Sequence, residues 1–186
     1  MTGINRAAEL YAVLSESRKK SGIKCVFISY QHDDLASCKK IADFLLGSGI
    51  DVYFDEYDRD LKIQNQLKNP MGVVNCLRKG IINSSHMLTV ISPKTLSSPW
   101  VPWEIGFGYD KTVLGALCLK GIRKGDLPDY LKTARIIRDI WDLNHLVAEL
   151  VGASQDLLLE KRIIFSYNSI YNPLVNVMDS LISEKY

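Results

Sequence analysis

Short apolar runs rich in β-branched and aromatic residues alternate along this chain with stretches whose apolar residues recur at helical spacing, and that alternation leaves few folds open. The runs are IKCVFISY (23–30), IDVYF (50–54), HMLTVIS (86–92), TVLGALCL (112–119) and, more weakly, ARIIRD (134–139). A strand that is apolar on both faces must be covered on both faces. Between the runs, residues 34–48 bring Leu35, Ile41 and Leu45 into helical recurrence and stop at Gly47 and Gly49. Residues 71–83 have helical spacing too, and a further helix is expected from Ser98 to Lys111. Repetition of strand and helix predicts an α/β fold: a five-stranded parallel sheet with right-handed crossovers and helices on both faces.

The flanks carry apolar stripes of their own. Residues 4–20 place Ile4, Ala8, Tyr11 and Leu14 on one helical side and end in a basic turn before Ser21-Gly22, which reads as an amphipathic helix. Arg18, Lys19 and Lys20 in that turn read as a solvated helix end. Beyond Trp141, residues 142–151 look helical, 156–167 are ambiguous, and 173–184 put Leu174, Val177, Leu181 and Ile182 on one helical face. The expected organisation is an N-terminal helix (1–22), a main domain (23–150) and a C-terminal helical extension (151–186). Stripes of this kind must be buried, by docking on their own domain or by pairing with a second copy.

Composition excludes several classes of function. A net charge of +2 gives no global basic field for nucleic acid. Cys25, Cys38, Cys76 and Cys118 are widely spaced without a CxxC pair, so neither zinc nor thiol redox chemistry is indicated. His32, His86 and His145 lie far apart and are read as surface or packing residues. The N-terminus has no signal-peptide pattern, and no segment reaches the roughly 18 apolar residues of a membrane span, so a cytoplasmic chain without membrane contact is expected.

In an open parallel sheet, ligands settle outside the carboxyl ends of the strands. Here those ends are Ser29–Asp34, Asp55–Asp60 and Ser92–Glu104. None carries GxGxxG or GxxxxGK[ST], which argues against a Rossmann dinucleotide site and a P-loop. The stretch Ser97-Ser98-Pro99-Trp100-Val101-Pro102-Trp103-Glu104 crowds two tryptophans and two prolines at a helix start. Pro102 is tolerated only near the first turn, so Glu104 lies near the N-terminal end, where peptide dipoles favour a carboxylate. An ionised glutamate beside aromatic rings suits a cationic substrate. The alternative is that both tryptophans are core and Glu104 only complements the dipole.

FISYQHDD (27–34), GIDVYFDEYD (49–58), NSSHMLTVIS (83–92) and SSPWVPWEIG (97–106) resemble, in order and spacing, the boxes of bacterial TIR (Toll/interleukin-1 receptor) domains. The resemblance covers roughly 23–140, and its most specific element is the W-x-x-x-E step from Trp100 to Glu104. It implies a three-layer, flavodoxin-like sheet and, in NAD+-cleaving members, catalysis by the glutamate of that step. Asp55 to Pro70 looks like the family's BB loop, although it is longer and lacks the usual glycine. The short chain also resembles the stand-alone TIR subunit of the Thoeris anti-phage system.

The resemblance implies an NAD+ glycohydrolase or ADP-ribosyl cyclase. NAD+ is then substrate, no cofactor is called for, and a diffusible nucleotide product reaches a separate effector. Glu104 would hold the ribose hydroxyls and offset the positive charge that develops on the ribosyl centre. Trp100 would stack on a heteroaromatic ring, and Ser29, Tyr30 and Gln31 would line the pocket floor. Asp55 is either a substrate contact or a loop-ordering residue. Two other functions stay open: a module acting only by TIR self-association, and a nucleoside 2-deoxyribosyltransferase-like enzyme.

Overall fold

The strands β1 (Cys25–Ser29), β2 (Asp51–Tyr53), β3 (His86–Ile91), β4 (Val113–Cys118) and β5 (Arg135–Ile137) form one parallel sheet in the order β2-β1-β3-β4-β5. The computed structural model describes residues 2–95 and 98–182; Ser97 of the tryptophan–proline stretch and residues 183–184 of the expected last helix lie outside the described residues. The order is the flavodoxin-like one, and its winding reverses between β1 and β3, where the strand ends open a crevice.

Residues alternate between the two faces of each strand. Val26, Ile28, Val52, Phe54, Leu88, Val90, Leu117 and Ile137 pack beneath α2 (Leu35–Gly47) and α6 (Ile140–Val151). Cys25, Phe27, Tyr53, Met87, Ile91, Leu114 and Ala116 face α3 (Arg59–Gln66), α4 (Pro70–Ile82) and α5 (Val101–Gly108). The result is the expected three-layer α/β architecture, with α5 seated on β1 and β3. Gly108 permits that close approach, because a Cβ there would fall 2.5 Å from Met87 Sδ.

Three local expectations are corrected. The polar stretch after β2 is a 3-10 turn (Asp55–Tyr57) and then α3, so it is not an open loop. Asp58 starts α3 by accepting the Leu61 N–H at 3.0 Å and also accepts from the Tyr53 hydroxyl; Asn69 then caps α4 through the Gly72 N–H. Caps of this kind satisfy amide protons that a helix start leaves unbonded.

At the N-terminus, helix begins only with a 3-10 turn at Glu9–Tyr11 followed by α1 (Ala12–Lys20). Before it the chain runs beside the edge strand, with Asn5 bridged to Val52 and Ala8 to Asp58. Asp51, fully buried, holds this segment by ion pairs to Arg6 at 2.8 Å and Arg18 at 2.6 Å. Arg18 is therefore buried structure and not a solvated helix end. The expected apolar stripe is split: Ile4 is buried, whereas Leu14 and the neighbouring Leu10 are exposed, as is Val13, because α1 docks through Arg18.

At the C-terminus, α7 (Gln155–Glu160) is short and the described residues of 173–182 are turns and bends rather than a helix. Asn172 explains part of this. Its side chain accepts the Leu174 N–H and donates to the Phe165 and Ser166 carbonyls, competing with a helical ladder. Leu174, Val177 and Met178 are nevertheless buried against the α2/α6 face, while Leu181 is exposed.

Candidate active site

Glu104 and Ser29 meet at the reversal point of the sheet. Ser29 is the last residue of β1, and Glu104 lies in the first turn of α5, whose N-terminal turn contains Pro102. Ser29 Oγ donates to Glu104 Oε2 at 2.5 Å. Both residues are buried, at 1% and 5% exposure. In front of Glu104 opens a cleft of about 350 Å³, walled by Tyr30, Gln31 and His32 after β1, Asp55 after β2, Leu61 and Asn65 of α3, and Trp100 beside α5.

Burial decides the state of Glu104. Its carboxyl is pushed from 4.5 up to about 8, chiefly by desolvation; the Ser29 hydrogen bond pulls it down and the charge of Asp55 pushes it further up. This reverses the expectation of an ionised glutamate favoured by the helix dipole. Of the first-turn amides, Pro102 has no N–H, Val101 donates to Ser98 Oγ at 3.3 Å and Glu104 to the Trp100 carbonyl at 2.9 Å, and lost hydration outweighs the dipole. At neutral pH most of this site carries the acid form.

Asp55 is a second carboxyl with a raised pKa, again mainly from desolvation, with the Tyr30 hydroxyl bonded to it as the opposing effect. The residue is partly exposed, yet its Oδ1 is buried and has no hydrogen-bond partner. The same environment, desolvation first and the Asp55 charge second, pushes the Tyr30 phenol up. Tyr30 also packs its ring 5.2 Å from Phe54.

The structure thus brings Glu104, Tyr30, Gln31, Asp55 and Trp100 to one cleft. Ser29 is corrected: it does not line the floor but sits behind Glu104 as its hydrogen-bond donor. Gln31 lines the cleft, yet its side-chain oxygen is spent on the Asp33 N–H, capping the 3-10 turn His32–Asp34. Trp100 presents an accessible ring, 36% exposed, edge-on to Trp103 at 6.3 Å. Trp103 is half-buried and stacks on Phe107 at 5.5 Å.

Sequence reasoning missed His32, Leu61 and Asn65 as wall residues. By its place after the first strand His32 reads as loop surface, and the Asp58 cap three residues before Leu61 is the signal that locates the α3 residues. The rim is tied by Ser92 Oγ, which donates to Asp34 Oδ2 at 2.5 Å and so links the loops after β3 and β1. Among the described residues no group of three or more His, Cys, Asp or Glu side chains is placed to hold a metal ion, and no helix is long and apolar enough to cross a membrane.

Comparison with known proteins adds one match. Residues 26–143 match the family model described as TIR domain. No curated protein matches the chain.

Proposed function

The chain belongs to the TIR domain family, and from that premise we propose that it cleaves the bond between nicotinamide and ribose in NAD+, with Glu104 as the catalytic carboxylate. The observation that carries the proposal is the buried Glu104 carboxyl, held by Ser29 at 2.5 Å and lining a cleft that the Trp100 ring also lines.

A cationic ring is the ligand that such a site rewards. A unit positive charge at about 4 Å contributes about 4 kcal/mol at an effective dielectric of about 20. The gap between 4.5 and about 8 corresponds to roughly 5 kcal/mol. Entry of the nicotinamide cation therefore recovers most of the burial cost and restores the carboxylate at neutral pH, with release of one proton. Trp100 adds cation–π attraction to the same ring.

The bond from ribose C1′ to the ring nitrogen then breaks with its electron pair on nitrogen, and neutral nicotinamide leaves without needing an acid. Glu104 offsets the charge on the ribosyl centre. Water captures that centre and loses a proton to give ADP-ribose; an adenine nitrogen of the same molecule gives a cyclic isomer instead. We read the product as a signal to a separate effector, in a cytoplasmic Thoeris-like anti-phage role, with self-association through TIR surfaces; the resemblance of the sequence boxes supports this wider role.

The test is incubation of the full chain with NAD+ and with deoxynucleosides across pH 5–9, followed by chromatography of the products. Nicotinamide should appear, and kcat/KM, which reports ionisation of the free enzyme, should rise with pH and level off near the Glu104 value of about 8. Because the bound cation lowers that value, the acid limb of kcat should lie at lower pH. NAD+ left intact by stoichiometric protein throughout the range would overturn the proposal.

A further inference from the structure

Thr89 lies in β3, the strand that borders the sheet's reversal point opposite β1, and it is fully buried. Its Oγ1 has no hydrogen-bond partner. A buried hydroxyl left in that condition is costly, and valine would fill the same volume without the cost.

The surroundings of Thr89 follow from strand register. Its Cα partners are Ser29 on β1 and Ala116 on β4, and Met87 and Ile91 flank it on the same face of its own strand. Only Ser29 among these is polar, and Ser29 donates to Glu104. Helix α5, which carries Glu104, is seated on β1 and β3. Thr89 thus sits beside Ser29 on the face that α5 covers, and of the two hydroxyls one is engaged by Glu104 and one is spare.

As an acid, Glu104 accepts the Ser29 hydrogen bond and keeps its own proton. As a carboxylate it loses a donor and has room to accept several more hydrogen bonds. We infer that Thr89 is a positioning residue for Glu104: its spare hydroxyl donates to the Glu104 carboxylate when a cationic ligand holds that group in its charged form. The inference rests on the reading of Glu104 as the catalytic carboxylate. A donor that engages only the charged form favours that form. The other titratable groups around Glu104 are Asp55 from the end of β2 and Tyr30 and His32 from beyond β1, while α3 and α4 present Leu61, Asn65, Val73 and Leu77, which do not titrate. Asp55 opposes the charge and the Tyr30 hydroxyl is directed to Asp55; Ser98 also lines the cleft, where its Oγ accepts the Trp100 and Val101 N–H groups, and Thr89 is the hydroxyl in register with Ser29 that has no partner.

The test compares Thr89→Val, Thr89→Ser and the wild type as full chains. Thermal melts should show Thr89→Val as stable as the wild type or more so. The Glu104 titration, followed by carboxyl-carbon NMR without substrate, should move to higher pH in Thr89→Val and return in Thr89→Ser. The kcat/KM for NAD+ should fall about tenfold, mainly through a higher KM because the bond is made in the bound complex as well as in the transition state, and Thr89→Ser should restore it. An unmoved Glu104 titration in Thr89→Val would overturn the inference. So would a destabilised Thr89→Val whose Glu104 titrates normally, since the hydroxyl would then be structural. Should Thr89→Val fail to fold, the titration of Thr89→Ala decides on the same criterion. A wild type that leaves NAD+ intact would overturn the proposed reaction, while the titration still decides whether Thr89 serves Glu104.

Discussion

Replacing Glu104 by glutamine should abolish turnover and at the same time make the protein more stable. Burial holds the Glu104 carboxyl at about 8 in the folded chain, against an ordinary 4.5. Between those values the folded protein keeps a proton that the unfolded chain has released. The native state then binds more protons than the unfolded state, so stability falls as pH rises through this window, the reverse of an ion-paired acid. At pH 7 the penalty is about 3 kcal/mol, and it vanishes below 4.5. Glutamine has no charge to lose, and its amide oxygen can still accept from Ser29 Oγ.

Glu104→Gln should therefore match the wild type near pH 4 and exceed it by about 3 kcal/mol at pH 7, a large share of the 5–15 kcal/mol typical of a folded domain. In a chain of this size that is about 6–12 °C in melting temperature. Urea unfolding at pH 4, 6, 7 and 8, followed by tryptophan fluorescence and extrapolated linearly, measures the difference directly. A difference independent of pH, or a less stable glutamine variant at pH 7, would refute the reasoning. Glu104 would then be ionised in the free protein, with dipole and hydrogen bond outweighing desolvation.

Trp100→Ala should lower kcat/KM more than Trp100→Phe if, as proposed, the exposed ring takes the substrate by its aromatic face, whereas Trp103→Ala should act through stability, at about 2 kcal/mol for a half-buried ring. Kinetics run beside thermal melts separate the two, and equal melting losses without a kinetic difference would make both rings packing residues. Asp51→Ala leaves Arg6 and Arg18 without their shared buried carboxylate and should cost about 3–5 kcal/mol while speeding proteolysis ahead of Ile23; an unchanged urea midpoint would show that the N-terminal segment adds nothing to the domain. Leu174→Ala should cost about 2–4 kcal/mol at every protein concentration, as the tail packs on its own chain. A melting temperature that climbs with concentration would instead indicate pairing between copies.

The strands were legible because each is a short β-branched run, and the structure keeps all five within a residue or two of the sequence reading. Their parallel arrangement followed from the helices between them. The flanks were not legible in the same way. An apolar period shows that a segment has a face to bury, but it does not show which face is used when a buried charge competes. In α1 the Arg18–Asp51 pair wins, so Val13 and Leu14 point outward. In the tail the side-chain hydrogen bonds of Asn172 break the helical path, yet Leu174 and Val177 reach the core through turns. The stretch after β2 was hidden for the opposite reason. Leu61 is the one buried residue of α3, too little apolar signal to outweigh its polar neighbours, although the Asp58 cap marks the helix start.

In the candidate site, position was legible and environment was not. Pro102 and the Trp100-to-Glu104 spacing put the glutamate in a helix's first turn, and the rule for strand ends put that turn beside Ser29. Whether Glu104 is charged depends on how much water reaches it, which is settled by α5 lying close on β3 at Gly108 and by the Ser29 contact from the neighbouring strand. Neither is a property of the local sequence. The same holds for Thr89, an ordinary strand residue by composition, whose meaning comes from a register that sets it against Ser29 rather than Ile28. A one-residue slip of β3 against β1 would set Thr89 against Ile28 and turn its hydroxyl to the α2/α6 face, leaving Ser29 as the one strand hydroxyl of the pair beside Glu104. If Thr89 serves Glu104 as proposed, the carboxylate of the glutamate depends on the pairing of β1 with β3 as well as on the residue itself.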